Sequence, residues 1–128
     1  RDLKAANVLL SSADLPRAVA KVADFGCARK LKGSALTTTT ISGSPAYMAP
    51  EQLDGADLTD KVDVWAYGVL LWELVSEQVP WANKGNSLDA LKRVVCTQGE
   101  RLPLPTSDRF PQVFFENDVR FLKQFSSL

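Results

Sequence analysis

The chain has 128 residues and 14.0 kDa, with 15 basic and 15 acidic side chains, two cysteines and no histidine. Zero net charge argues against a domain that binds nucleic acid by neutralising phosphates. The missing histidine excludes Ser-His-Asp or Cys-His catalysis and histidine-ligated metal within these residues. Cys27 and Cys96 are too few for a disulfide scaffold and read as free thiols of an intracellular protein. Nothing at the start resembles a secretory signal, and the default location is cytoplasmic. The first residue is Arg1, not Met, which marks a processed, excised or incomplete chain.

In chain order, Asn7-Val8-Leu9-Leu10 is a short apolar run that enters a turn at Ser11, Ser12 and Asp14. Ala18 to Val22 is a second short run, ending at Asp24-Phe25-Gly26. Together they predict a small antiparallel hairpin with a polar loop. From Cys27 to Ser44 lysine, glycine, serine and threonine dominate, and the segment is expected to be a mobile loop. Thr59 to Glu77 is the clearest helix, capped by Thr59 or Asp60. Its apolar residues fall on every face, the pattern of a helix buried in a larger body. The run from Val62 to Val75 is still shorter than the ~20 residues that span a bilayer, so no membrane segment is expected. Leu88 to Thr97 is amphipathic, with Leu88, Leu91, Val94 and Val95 on one side, and Gly99 stops it. Leu102 to Pro105 is extended, and Pro111 can open a last helix through Phe125.

Three clusters carry chemistry. Asp2, Lys4 and Asn7 stand just before the first strand, and the hairpin returns Asp24 toward Asn7. A carboxylate and an amide oxygen at one hairpin end can share hard divalent cations. Ala49-Pro50-Glu51 is the third cluster. In order, Arg-Asp-Leu-Lys-Ala-Ala-Asn, Asp-Phe-Gly and Ala-Pro-Glu resemble the signatures of protein kinases. Gly43 to Met48 and Asp63 to Gly68 are similar to two further kinase segments.

The resemblance implies a mainly helical fold with a small hairpin, part of a kinase C-lobe with the N-lobe absent. All of 1–128 then forms a partial kinase domain, with a catalytic loop at 1–7, an activation segment at 24–51, a buried helix at about 60–77 and C-lobe helices after 87. Asp2 would accept the proton of the substrate hydroxyl, and Lys4 would stabilise the transferring phosphoryl. Asn7 and Asp24 would hold Mg²⁺ against ATP, with Lys4 also touching the nucleotide. Arg1 would clamp an activation-segment phosphate at Thr37, Thr38, Thr39, Thr40 or Ser42, placed there by an upstream kinase or by autophosphorylation. Gly43, Ser44 and Tyr47 would line the substrate. Asp63 would support the catalytic loop as a buried carboxylate with partners. Glu51 would pair with an arginine that falls about one residue beyond Leu128. Lys4 and the Gly-Ser-x-x-Tyr segment resemble Ser/Thr kinases of the tyrosine-kinase-like group, so the partners implied are protein substrates with Ser or Thr. Cys27 reads as a small semi-buried residue more readily than as a redox-sensitive thiol.

The Gly-rich phosphate loop, its lysine strand, the partner glutamate and the hinge do not occur in these residues. The resemblance puts them upstream of Arg1, so the parent would be the active enzyme and the piece alone inactive. The alternatives are a pseudokinase or interaction scaffold, or a truncated product without function.

Overall fold

The computed structural model describes residues 1–30, 33, 35–36 and 41–103. Strands β1 (Val8–Leu10) and β2 (Ala20–Val22) pair antiparallel, with Val8 opposite Val22 and Leu10 opposite Ala20. The predicted hairpin is therefore present, with each strand shorter than its apolar run. Its nine-residue loop is closed at the base, where the Ser11 amide donates to Val19 O and the Val19 amide donates to Ser11 Oγ.

Three α-helices follow among the described residues: α1 (Pro50–Asp54), α2 (Lys61–Ser76) and α3 (Leu88–Lys92). Proline at the first position of α1 suits a turn whose amide would be unpaired anyway. Gln52 Oε1 accepts the Ala49 amide at 3.1 Å, and Gly55 ends the helix in the left-handed conformation. Helix α2 matches the predicted long helix to within two residues at its start and one at its end. Thr59 Oγ1 accepts the Lys61 amide, whereas Asp60 makes no side-chain cap bond. Helix α3 is capped by Ser87, and its chain runs on as a π-helical turn, Arg93–Thr97. The predicted single helix over 88–97 thus changes its winding midway. Its faces hold: Leu91, Val94 and Val95 are buried, and Asp89, Lys92 and Arg93 face out.

The core sits where α1, α2, α3 and the π-helical turn converge. Leu53, Val62, Trp65, Val69, Trp72 and Leu91 belong to it, with Met48 and Ala49 from the turn before α1. Trp72 Nε1 donates to Pro103 O at 2.6 Å, and the Arg101 guanidinium lies 5.2 Å from the Trp65 ring centre. These contacts bring 101–103 back onto α2.

Helix α2 is not covered all round among the described residues: Val64, Tyr67 and Leu74 remain exposed along one stripe. Exposed apolar residues also lie on the hairpin, at Leu9, Leu10 and Val22. Of the segment between Cys27 and Ser44, residues 31, 32, 34 and 37–40 lie outside the described residues. Leu36 bridges Leu58 through paired backbone bonds of 2.7 and 3.0 Å and packs against the core. The last predicted helix, from Pro111, and Leu104-Pro105 lie outside the described residues. No helix among the described residues is long and apolar enough to cross a membrane.

Leu91 is fully buried where α3 meets the core, so Leu91→Ala is expected to cost about 2–5 kcal/mol. A lowered urea midpoint with an unchanged m-value checks this.

Candidate active site

Residues 1–7 form an extended segment that closes in a 3₁₀ turn at Ala5–Asn7. The turn points the Asn7 amide back on the chain, and its Nδ2 donates to Asp2 O at 2.8 Å and to Asp2 Oδ2 at 3.3 Å. Lys4 Nζ stands 3.1 Å from the same Oδ2 and donates to Ser44 Oγ at 2.7 Å. The Ser44 amide donates to Asp2 Oδ1 at 2.7 Å. Asp2, Lys4, Asn7 and Ser44 therefore form one network, joining the first residues to a turn some forty positions on.

Burial alone would push the Asp2 carboxyl up. The bonds from Ser44 and Lys4, with the Lys4 charge, together outweigh it and hold the group below its ordinary value of 3.8. Asp2 is thus ionised at neutral pH. The Ser44 amide, Lys4 and Asn7 all point at this carboxylate, and the Ser44 hydroxyl bonds it as well.

The hairpin positions Asp24. The Ala23 amide donates to Asn7 O at 2.8 Å, extending the strand pairing to the residue before Asp24. Asp24 adopts a left-handed conformation with φ 56°, tolerable for aspartate, and its Oδ1 accepts the Gly26 amide. Asp2, Asp24, Phe25 and Asp63 line one cleft of about 430 Å³. No group of three or more His, Cys, Asp or Glu side chains among the described residues could cage a metal. Both Asn7 bonds use Nδ2, so Oδ1 lies on the other edge of the amide, and Asp24 keeps Oδ2. Asp24 lines the cleft with Asp2, whereas Asn7 is not among the residues that line it.

Arg1 Nε donates to Cys27 O at 3.1 Å, and Arg1 lines a small crevice with Ile41 and Ser42. Ser42 Oγ donates to Cys27 Sγ at 3.0 Å, which accords with Cys27 as a half-buried packing residue. Thr37, Thr38, Thr39 and Thr40 lie outside the described residues. Gly43 has φ +123°, and a Cβ there would stand 2.7 Å from Arg1 O, so only glycine lets the two segments approach this closely.

Tyr47 OH donates to Glu73 Oε2 at 2.6 Å. Burial and the Glu73 carboxylate push the phenol well above its usual range, so it stays a neutral donor. Glu73 was legible only as an acid inside an apolar helix, and its partner was not. Asp63 departs from expectation, since it is not buried: its side chain is 58% exposed, with Oδ1 3.3 Å from the Arg1 backbone nitrogen. It does touch the first residues, but solvent shares its charge. Glu51 has no ion-pair partner among the described residues. Burial, with Asp54 nearby, raises the Cys96 thiol, which makes it a poor nucleophile.

The family model described as "Protein kinase domain" matches residues 1–124. The chain is 36% identical to mitogen-activated protein kinase kinase kinase 13-B of Xenopus laevis over 107 residues, 84% of this chain and 10% of that protein. It is 36% identical to mitogen-activated protein kinase kinase kinase 12 of Rattus norvegicus, over 84% of this chain and 11% of that protein. It is 39% identical to a probable serine/threonine-protein kinase of Dictyostelium discoideum, again over 84% and 11%. The chain thus spans about a tenth of the length of the curated relatives it matches.

A carboxyl lowered on folding stabilises the fold above its unfolded value, and that contribution fades as pH falls through the folded value. Ser44→Ala removes part of what lowers Asp2, so the Asp2 carboxyl should titrate at higher pH in a ¹³C NMR experiment; an unmoved titration contradicts the network. Gly43→Ala should cost about 1–3 kcal/mol by forcing the two segments apart, read as a lowered thermal midpoint.

Proposed function

The chain belongs to the protein kinase family, and on that premise we propose that it is the catalytic-loop and activation-segment portion of a Ser/Thr kinase. The observation that carries this is the Asp2 carboxylate, ionised and held by Lys4, Asn7 and Ser44. Kinases of this family generally use ATP and Mg²⁺. Asn7 Oδ1 and Asp24 Oδ2 would hold the metal, which would neutralise charge on the nucleotide phosphates when bound.

The substrate hydroxyl hydrogen-bonds the Asp2 carboxylate. As its oxygen attacks the γ-phosphorus, the bond from that phosphorus to the bridging oxygen breaks, ADP leaves, and the hydroxyl proton passes late to Asp2. No raised carboxyl pKa is needed, because the proton moves after most of the bonding change. Lys4, charged and within reach of both Asp2 and Ser44, offsets negative charge on the phosphoryl group. The Gly43–Tyr47 turn supports the acceptor segment. Arg1 and Ser42 line one small crevice, which supports Ser42, the one candidate among the described residues, as a phosphate acceptor. The names of the relatives support Ser/Thr chemistry and a place in mitogen-activated kinase cascades.

The exposed apolar stripe of α2 and the exposed hairpin leucines support the reading that further parts of the domain cover them in the parent protein. The 128-residue chain alone should therefore transfer no phosphate to protein, and radiolabel incorporation by the purified chain contradicts that. In the full-length protein Asp2→Asn should lower kcat by roughly 10²–10⁴-fold with the KM for ATP little changed. Product analysis should show phosphoserine or phosphothreonine; phosphotyrosine alone overturns the Ser/Thr assignment.

A further inference from the structure

The Pro45–Tyr47 turn has three carbonyls in sequence that need donors. Ser44 O takes the Tyr47 amide at 3.0 Å and Pro45 O takes the Met48 amide at 3.1 Å. Ala46 O takes its donor from outside the turn: Trp81 Nε1, at 3.2 Å, thirty-five residues later. Trp81 lies in the loop after α2 and is buried at 8% exposure, packed within the core. Its backbone is left-handed, with φ +60°, an uncommon conformation for a bulky aromatic residue. Buried Pro80 precedes it, and the Lys84 amide donates to Trp81 O at 2.8 Å, so neighbours on both sides hold the strained geometry. Strain of this kind persists where surrounding structure over-determines it, often beside functional segments.

We propose that Trp81 is a positioning residue for the acceptor peptide: its indole N–H fixes the far end of the Gly43–Tyr47 turn. This rests on the kinase reading above. The two ends of the turn are held differently. Ser44 is fixed by Asp2 and Lys4. Ala46 and Tyr47 are fixed from the α2 side, by Trp81 and Glu73. Loss of the indole bond therefore loosens the end remote from Asp2. The acceptor segment is then held less well, while the Asp2 network, and with it the chemical step, is left in place.

The test uses the full-length protein and a Ser/Thr peptide substrate. Trp81→Phe keeps an aromatic ring and removes the donor. A second variant carries the benzothiophene isostere of tryptophan at position 81, which keeps ring size and packing and also lacks the N–H. Both should raise the peptide KM by roughly threefold to tenfold, the size of one lost hydrogen bond. The KM for ATP and kcat should stay unchanged. An unchanged peptide KM in the isostere variant overturns the inference, as does a fall in kcat with both KM values fixed, which marks a purely structural role. A parent protein with no kinase activity before substitution overturns the functional reading and this inference together.

Discussion

One half-buried carboxylate organises the site. Asp2 is largely removed from water, and an unpartnered charge in that position would be costly. Its partners come from two places: Lys4 and Asn7 nearby in sequence, and the Ser44 amide far away. The same contacts that satisfy the charge join the first segment to the turn before α1. Gly43 makes the join possible, since any side chain there would strike the Arg1 carbonyl. Electrostatic satisfaction and steric permission thus act on adjacent residues.

Helix α2 supplies the frame behind that join. Asp63 near its start reaches the backbone nitrogen of Arg1, and Glu73 near its end takes the Tyr47 hydroxyl. The two acids stand ten residues apart, so one rigid rod holds both halves of the site in register. The apolar positions between them join the common core, with the Pro45–Tyr47 turn and the chain at 101–103 against the helix. Packing therefore sets the position of the polar groups, and the polar groups in turn set the geometry around Asp2.

Much of this was legible in the residues. The hairpin, the long helix and the buried face over 88–97 follow from apolar periodicity and cap residues, which are local properties. The motif order singled out Asp2, Lys4, Asn7 and Asp24 by resemblance, and the structure joins the first three in one network. The short helix α1, the π-helical turn and the Leu36–Leu58 bridge were not legible. Each depends on contacts between segments distant in the chain, which periodicity does not encode. Asp63 was misjudged for the same kind of reason: an acid in an apolar helix reads as buried, but exposure depends on which neighbours cover that face.

What the sequence determined by itself was chemical identity: which side chains could accept a proton, carry charge or hold a hard cation, and the helices and strands that bear them. What only the tertiary structure decided was partnership. It set Ser44 on Asp2, Glu73 on Tyr47, Trp81 on Ala46 and Arg1 beside Ser42. Those pairs lie 26 to 42 residues apart, and hydrogen bonds and charge interactions fall off within a few ångströms. Only folding brings such groups within that range.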